Sequence, residues 1–108
     1  MVLSEQAVEL LGREPQRESE INMTTLHIEI ENSPLQFIQK YERKSLEDCV
    51  KDVARKFALM PNRDVYVYQV VHRGAGRYEV FPIGTIYVMK QGKFWQPESP
   101  KYSKIKIE

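Results

Sequence analysis

Three side chains in this sequence have the chemistry of catalytic or metal-binding groups: the single cysteine, Cys49, and the two histidines, His27 and His72. A cysteine nucleophile needs an activated thiolate with a base within reach, and a metal site needs three or four converging ligands. The sequence has neither an HxxxH nor a CxxC spacing, and both histidines fall in segments that alternate like strands. We therefore predict no catalytic constellation, no metal site and no cofactor, and we interpret Cys49 as a small buried hydrophobe.

The most suggestive short segment is Arg73-Gly74-Ala75-Gly76-Arg77. Glycines let backbone amides approach an anion, and arginine side chains pair with phosphate. The third glycine and the following helix of a dinucleotide-binding fingerprint are missing. Two interpretations stay open: a hairpin tip kept soluble by its arginines, or a site for phosphate or an acidic partner.

Lysines and aromatic residues are interleaved near the end of the chain. This pattern is typical of grooves that bind single-stranded nucleic acid, and tryptophan is also an enriched anchor of protein interfaces. An aromatic core with a lysine-protected sheet edge would give the same pattern, so Trp95 is either a core or an interface residue. The candidate partner-binding residues are Arg73, Arg77, Tyr87, Lys93, Trp95, Lys101, Tyr102 and Lys104.

Length and composition restrict the class of protein. The 108 residues fit one domain, and 16 basic against 15 acidic residues give a net charge of +1, which provides no global attraction to nucleic acid or to a membrane surface. A single cysteine cannot form an intrachain disulfide, so a reducing, cytoplasmic location is expected. No apolar run approaches the roughly 20 residues of a membrane span.

Residues 1–22 differ in composition from the rest of the chain, with five acidic and two basic residues. Ser4 could start a short helix that Gly12 would end, and the polar residues that follow have little to bury. We expect a flexible acidic leader over residues 1–22, with or without this short helix, and a single domain over residues 23–108. In an alternative interpretation, Val8, Leu10 and Leu11 form a helix that binds a partner.

The elements that must position the candidate residues are one helix and several strands. Ser45 to Ala58 has an N-cap serine, acidic residues in the first turn, an apolar stripe at helical spacing and basic residues in the last turn. Alternation predicts strands over residues 24–31, 35–41, 65–72, 77–83, 85–90 and 104–108. Pro82 predicts a sheet edge or a bulge, and Gly84 predicts a break between two strands.

This order predicts an α+β domain in which one central helix packs on a curved, mostly antiparallel sheet of about five strands. The hairpin, helix and long strand over residues 23–72 resemble the β-grasp roll of ubiquitin-like modules, although the chain ends in KIKIE without the diglycine tail of the conjugated members. A small half-barrel built from residues 64–108 is the alternative. The segment Val65 to His72 is apolar or aromatic on both faces. One helix cannot cover both faces of a sheet that contains it, so either the sheet rolls on itself or a partner covers one face.

The function expected from these features is that of a small intracellular binding or adaptor module without enzymatic activity. It would act through protein–protein contacts, as a subunit or regulator of a larger assembly. The alternative is a nucleic-acid-binding protein that uses Arg73, Arg77 and the C-terminal lysines and aromatic residues. A third class, an enzyme with a dispersed site around His27, His72 and Glu79, would require a concave polar pocket.

Overall fold

The computed structural model describes residues 23–99 and 101–108, which form an open, six-stranded antiparallel sheet and one helix. The strand order is β2-β1-β3-β4-β5-β6, so β2 and β6 are the edge strands. The expected leader over residues 1–22 lies outside the described residues. The elements are β1 (Met23–Ile30), β2 (Gln36–Glu42), α1 (Leu46–Phe57), β3 (Val65–Gly74), β4 (Arg77–Met89), β5 (Gly92–Pro97) and β6 (Ile105–Lys106).

The predicted α+β class, with one helix and an antiparallel sheet, is confirmed. The described sheet has six strands rather than about five. The predicted segments 77–83 and 85–90 form one strand, Gly92–Pro97 forms a strand that alternation did not predict, and the predicted KIKIE strand is a short edge strand beside β5. Both neighbours of β1 run antiparallel to it, so β2 and β3 run in the same direction and α1 is the crossover between them. The curvature and the grasp-like detail remain predictions.

Local signals set both ends of α1, as the sequence predicts. The Ser45 hydroxyl accepts a hydrogen bond from the Asp48 backbone N–H at 3.1 Å, which caps the first turn. At the other end, the Ala58 N–H donates to the Ala54 carbonyl at 3.1 Å. The helix buries one stripe against the sheet, made of Leu46, Cys49, Val50, Val53 and Ala54.

The core lies between α1 and one face of the sheet. Strands β1 to β5 contribute residues to it from one face, because successive side chains of a strand point to opposite faces. Leu26 and Ile28 of β1 are fully buried there, as are Val65 and Val67 of β3. The remaining core residues from the sheet side are Tyr41, Ile83, Ile86 and Trp95.

Strand β4 continues through Gly84, so the predicted break at this glycine is wrong. Gly84 pairs with Val67 of β3 and with Pro97 of β5, in the middle of the sheet. A Cβ at position 84 would overlap the Trp95 ring and would lie 2.6 Å from the backbone oxygen of Gln96. The glycine is therefore explained by the close approach of the indole, and not by a turn.

Pro82 lies beside a bulge of β4. Val67 of β3 pairs with Gly84 of β4, whereas the next residue, Tyr68, pairs with Pro82. Ile83 is therefore the extra residue of β4 at the bulge. The bulge interpretation of Pro82 is therefore confirmed. The edge interpretation also holds locally: the pairing of β4 with β5 starts at Gly84, so within the described residues Pro82 has a strand neighbour only on the β3 side.

Beyond the bulge, β3 and β4 form a two-stranded extension, the β3–β4 arm, which comprises residues 70–80. The register of β3 with β1 ends at Gln69, and the register of β4 with β5 starts at Gly84. Within the described residues, the strands of the arm therefore pair only with each other. Ala75 and Gly76 form its tip, and both have left-handed backbone conformations.

Candidate binding face

The sheet face opposite α1, here called the open face, carries a row of aromatic and apolar side chains. Directly paired residues of antiparallel strands share a face, and the pairs His27–Tyr68, Glu29–Tyr66 and Tyr87–Phe94 place these side chains together. Two exposed apolar residues extend the row, Ile38 of β2 at 53% exposure and Val80 of β4 at 51%. The aromatic and apolar residues of the open face are Ile38, Tyr66, Tyr68, Val70, Val80, Pro82, Tyr87 and Phe94, and its polar residues include Thr25, His27, Glu29, Gln36, Lys40, Thr85, Gln96 and Lys106.

A polar network fixes the centre of the open face. The Glu29 carboxylate contacts His27 Nε2 at 2.9 Å and accepts a hydrogen bond from the Tyr68 hydroxyl at 3.3 Å. The His27 ring meets the Tyr68 ring edge-on, with 5.5 Å between centroids. Burial, followed by the charge of Glu29, raises the pKa of Tyr68. The phenol thus stays neutral and serves as a donor and an aromatic surface.

One end of the open face is acidic. Glu31 Oε1 accepts a hydrogen bond from the Asp64 N–H at 3.2 Å, which holds the two acidic residues beside each other. Burial and the neighbouring Glu31 charge raise the pKa of Asp64. Burial and the charges of Glu31 and Asp64 likewise raise the pKa of Tyr66. A cavity of about 450 Å³ opens here, lined by Glu29, Glu31, Gln36, Tyr66 and the β1–β2 turn.

The opposite side of the open face, at β5 and β6, is basic. Lys104 Nζ lies 4.6 Å from the centroid of the Tyr87 ring, a cation–π contact. Lys106 pairs with Phe94 in the register of β5 with β6. Of the predicted partner-binding residues, Tyr87 and Lys104 are therefore brought together on this face.

Two other predicted partner-binding residues lie on the helix side of the sheet. Trp95 is 1% exposed and belongs to the core, which decides between the core and interface alternatives that the sequence left open. Lys93 Nζ contacts Glu108 Oε1 at 2.9 Å and donates to the Ala54 carbonyl at 3.1 Å. Lys93 therefore ties the C-terminus to the end of α1.

The two arginines flank the tip of the β3–β4 arm, as the hairpin interpretation predicts. Arg73 Nε donates to Glu79 Oε1 at 2.8 Å, and its guanidinium lies 5.8 Å from the Phe81 ring centroid. Arg77 is exposed at the start of β4. Binding of an anion at this tip remains a prediction.

The last two predicted residues, Lys101 and Tyr102, lie in the connection between β5 and β6. The Tyr102 carbonyl accepts a hydrogen bond from Gln96 Nε2 at 2.8 Å, so this connection is fixed to β5. Lys101 is exposed. Together with the positions of Arg73 and Lys93, this arrangement distributes the basic residues over separate parts of the molecule.

The cysteine and the two histidines, the candidate catalytic or metal-binding groups, lie in separate parts of the molecule. Cys49 is fully buried in α1, and this burial raises the pKa of its thiol to about 11. His27 lies on the open face, whereas His72 packs against Tyr78 on the β3–β4 arm at 4.9 Å between ring centroids. Among the described residues, no group of three or more His, Cys, Asp or Glu side chains could hold a metal ion.

The sequence did not single out Tyr66, Tyr68, Phe94 and Glu31 as binding residues. Its strands suggested mainly core and sheet packing for the tyrosines. The signal that could have found them is the strict alternation of Tyr66 and Tyr68 with Val65 and Val67, which assigns the rings and the core residues to opposite faces. That alternation does not say which face the helix covers.

Comparisons of the chain with models of protein families, with curated proteins and with solved structures find no match. In the described part of the chain, no helix has the length and apolar character needed to cross a membrane.

Proposed function

We propose that this protein is a small binding or adaptor module without enzymatic activity, and that it holds a protein partner on the open face of its sheet. In this proposal it acts as a subunit or regulator of a larger assembly. Its one cysteine, buried as a neutral thiol, fits a cytoplasmic protein.

The observation that carries the proposal is the aromatic and apolar character of the open face. α1 packs on the other face, and Tyr66, Tyr68, Tyr87 and Phe94 are each only partly buried, with Lys104 of the β5–β6 connection lying over the Tyr87 ring. Contiguous apolar surface of this kind, rimmed by polar groups, is typical of interaction sites. Aromatic residues are also enriched in the buried centres of protein interfaces.

Nucleic-acid binding is the second candidate function. The observation in its favour is the neighbourhood of Lys104, Lys106, Tyr87 and Phe94, which places two cations beside two rings that could stack with bases. The acidic end around Glu31 would oppose a phosphate backbone that extended across the face. Nuclease treatment in the experiment therefore distinguishes protein binding from nucleic-acid binding.

The experiment uses charge substitutions at exposed apolar positions, where the fold tolerates a carboxylate. Ile38→Glu and Val80→Glu place a charge on the open face, and Leu59→Glu makes the same change at a 67% exposed residue after α1. The tagged full chain and the three variants are used to capture partners from host lysate, with and without nuclease. The affinity of the identified partner is then measured by calorimetry with purified components.

We expect a partner that survives nuclease, binds Leu59→Glu as it binds the wild type, and binds both open-face variants at least about tenfold more weakly, or about 1.4 kcal/mol. Equal binding by all four proteins would contradict a role for the open face. Loss of the partner on nuclease treatment would instead favour the nucleic-acid function.

A further inference from the structure

The acidic end of the open face combines aromatic rings with carboxylates. Tyr66 faces Glu29 across the β1–β3 pair, and Glu31 is held beside Asp64 by the 3.2 Å hydrogen bond. Glu98, whose N–H donates to the Ile83 carbonyl at 3.0 Å, adds a further negative charge that raises the pKa of Tyr68. The rings of Tyr66 and Tyr68 therefore lie among carboxylates.

The electrostatics of this end favour a positive charge. Besides burial, only negative charges and tyrosines act on the phenols of Tyr66 and Tyr68, and all of them raise the two pKa values. Burial and the charge of Glu31 also raise the pKa of Asp64, and the charge of Lys104 lowers this pKa only in part. A cation placed here would relieve the repulsion between the carboxylates.

The chain itself shows how a cation is held on this face. The Lys104 ammonium lies over the Tyr87 ring at 4.6 Å from its centroid, and the negative face of an aromatic ring attracts such a group. Tyr66 offers a comparable ring with Glu29 and Glu31 next to it, beside the cavity of about 450 Å³.

We infer that the partner bound by the open face presents a lysine or arginine side chain, flanked by apolar residues, to the cavity beside Tyr66. The ammonium or guanidinium group lies against the Tyr66 ring and pairs with the carboxylates of Glu29 and Glu31. The flanking apolar residues cover the rest of the aromatic row. This inference rests on the proposed function and adds the chemistry of the partner segment.

The test uses defined peptides and the full chain. The probes are acetyl-Val-Xaa-Val-amide peptides in which Xaa is lysine, arginine or norleucine; norleucine has an aliphatic side chain of similar length and no charge. Binding is followed by two-dimensional NMR of the ¹⁵N-labelled protein. We expect the lysine and arginine peptides to shift the amides around Glu29, Glu31 and Tyr66 and to bind at least about tenfold more tightly than the norleucine peptide. Their affinity should fall as salt is added.

Matched variants test separately the contributions of the carboxylate charge and of the aromatic ring, and they show whether the fold is kept. Tyr66→Phe keeps the ring and should bind the lysine peptide like the wild type, whereas Tyr66→Leu and Glu31→Gln should each weaken binding several-fold. Glu42→Gln is the charge control, because Glu42 pairs with Met23 about 20 Å along β1 from Glu29. The spectrum of each variant shows whether it has folded.

Equal affinity for the norleucine peptide, or equal affinity of Glu31→Gln for the lysine peptide, would overturn the inference while leaving open-face binding intact. Shifts confined to the Lys104 side of the face would also overturn it. An oligothymidylate that shifted the Tyr66 and Glu31 amides would contradict it as well, since these carboxylates repel phosphate. Failure of the proposed function itself would appear in the capture experiment, where Ile38→Glu and Val80→Glu would bind the partner unchanged.

Discussion

At the scale of single residues, the absence of a side chain at position 84 makes room for the largest side chain of the core. A methyl group on Gly84 would overlap the Trp95 ring, which is itself fully buried and has little space to move. We therefore expect Gly84→Ala to lower the free energy of unfolding by about 1–3 kcal/mol, the usual cost of overpacking. Urea denaturation followed by circular dichroism measures this change.

The smaller ring of Trp95→Phe provides the control for this prediction. Two of the three atoms that a Cβ at position 84 would meet belong to the six-membered part of the indole, and the third is the Gln96 backbone oxygen, which stays in both backgrounds. Within the described residues, Trp95 Nε1 has no hydrogen-bond partner, so phenylalanine removes no such bond. Gly84→Ala should cost less in the Trp95→Phe background than in the wild type. Simple addition of the two effects would show that the contact between positions 84 and 95 does not cause the loss.

A second residue-scale prediction concerns the buried thiol of Cys49 at alkaline pH. Burial raises its pKa from an ordinary 9.0 to about 11, so the folded protein holds the thiol proton more tightly than the unfolded chain. Its contribution to stability is complete below pH 9 and is lost as the pH rises towards 11. Between these pH values, the wild type should therefore lose more stability than Cys49→Ala.

Denaturation curves of both proteins at a series of pH values measure this difference. Tyr66 and Tyr68, whose pKa values are also raised without a contribution from Cys49, are present in both proteins, so their effect on the alkaline slope cancels in the comparison. Parallel loss of stability in the two proteins would contradict a buried, neutral thiol in the folded state.

At the scale of secondary structure elements, a partly buried hydrogen bond joins β2 to α1. The Tyr41 hydroxyl donates to Asp52 Oδ2 at 2.7 Å, and Lys56 contacts the same oxygen at 3.1 Å. The hydrogen bond from Tyr41 is the main cause of the lowered pKa of Asp52. Since β2 is an edge strand, this bond fixes to the helix a strand that has only one neighbour in the sheet.

Tyr41→Phe should lower the free energy of unfolding by about 1.5–3 kcal/mol at neutral pH, the range for a hydrogen bond to a charged group. The pKa of Asp52 is lower in the folded protein, so the contribution of this bond is complete above the ordinary carboxyl value of 3.8 and is lost as the pH falls through the folded value. The difference between wild type and variant should therefore shrink in acid. Tyr78→Phe, at a 64% exposed position, should change stability by less than about 0.5 kcal/mol. A constant difference down to pH 2 would argue against this role of Asp52.

The elements differ in how far the sequence predicts them. Helix α1 is predicted at both ends because its signals, the Ser45 cap and the apolar stripe, are local. The predicted break at Gly84 is wrong because the reason for that glycine is a tertiary contact with Trp95. The side of the sheet on which Trp95 lies depends on its register with Ile86, which alternation within β5 does not determine.

The candidate site is predicted less completely than the fold, for the same reason. Alternation separates Tyr66 and Tyr68 from Val65 and Val67, but only the packing of α1 decides which set faces away from the core. The acidic end depends on Glu31 and Asp64, which are far apart in sequence and meet where β1 and β3 pair. The sequence of a single segment does not predict that two such distant residues are neighbours in the fold.

At the scale of the whole molecule, the net charge is only +1, but acidic and basic residues lie at different ends of the open face. The β1–β3 end carries Glu29, Glu31 and Asp64, whereas the β5–β6 side carries Lys104 and Lys106. If a partner segment crosses this face as proposed, it meets both signs of charge, and the end that bears its positive group sets its orientation. Such complementarity affects specificity and association rate more than affinity.

The β3–β4 arm and the central part of the same two strands should differ in local stability. β3 and β4 are flanked by other strands up to Gln69 and from Gly84 onward, whereas residues 70–80 of the β3–β4 arm pair only with each other among the described residues. Stability is not uniform in a protein, and segments with few buried contacts open locally at lower free energy than the core. Hydrogen exchange followed by NMR should show faster exchange for the paired amides of the arm than for those of residues 65–69 and 85–88.

The arm carries Val80 on the open face, so its exchange also reports on binding. If a partner covers this face as proposed, its addition should slow exchange in the arm more than exchange in residues 65–69, whose opening is already limited by their pairing with β1. Val80→Glu should remove this protection and Leu59→Glu should keep it. Equal exchange rates in the arm and the central strands of the free protein would contradict the prediction, since they would show that the arm opens only when the whole domain unfolds.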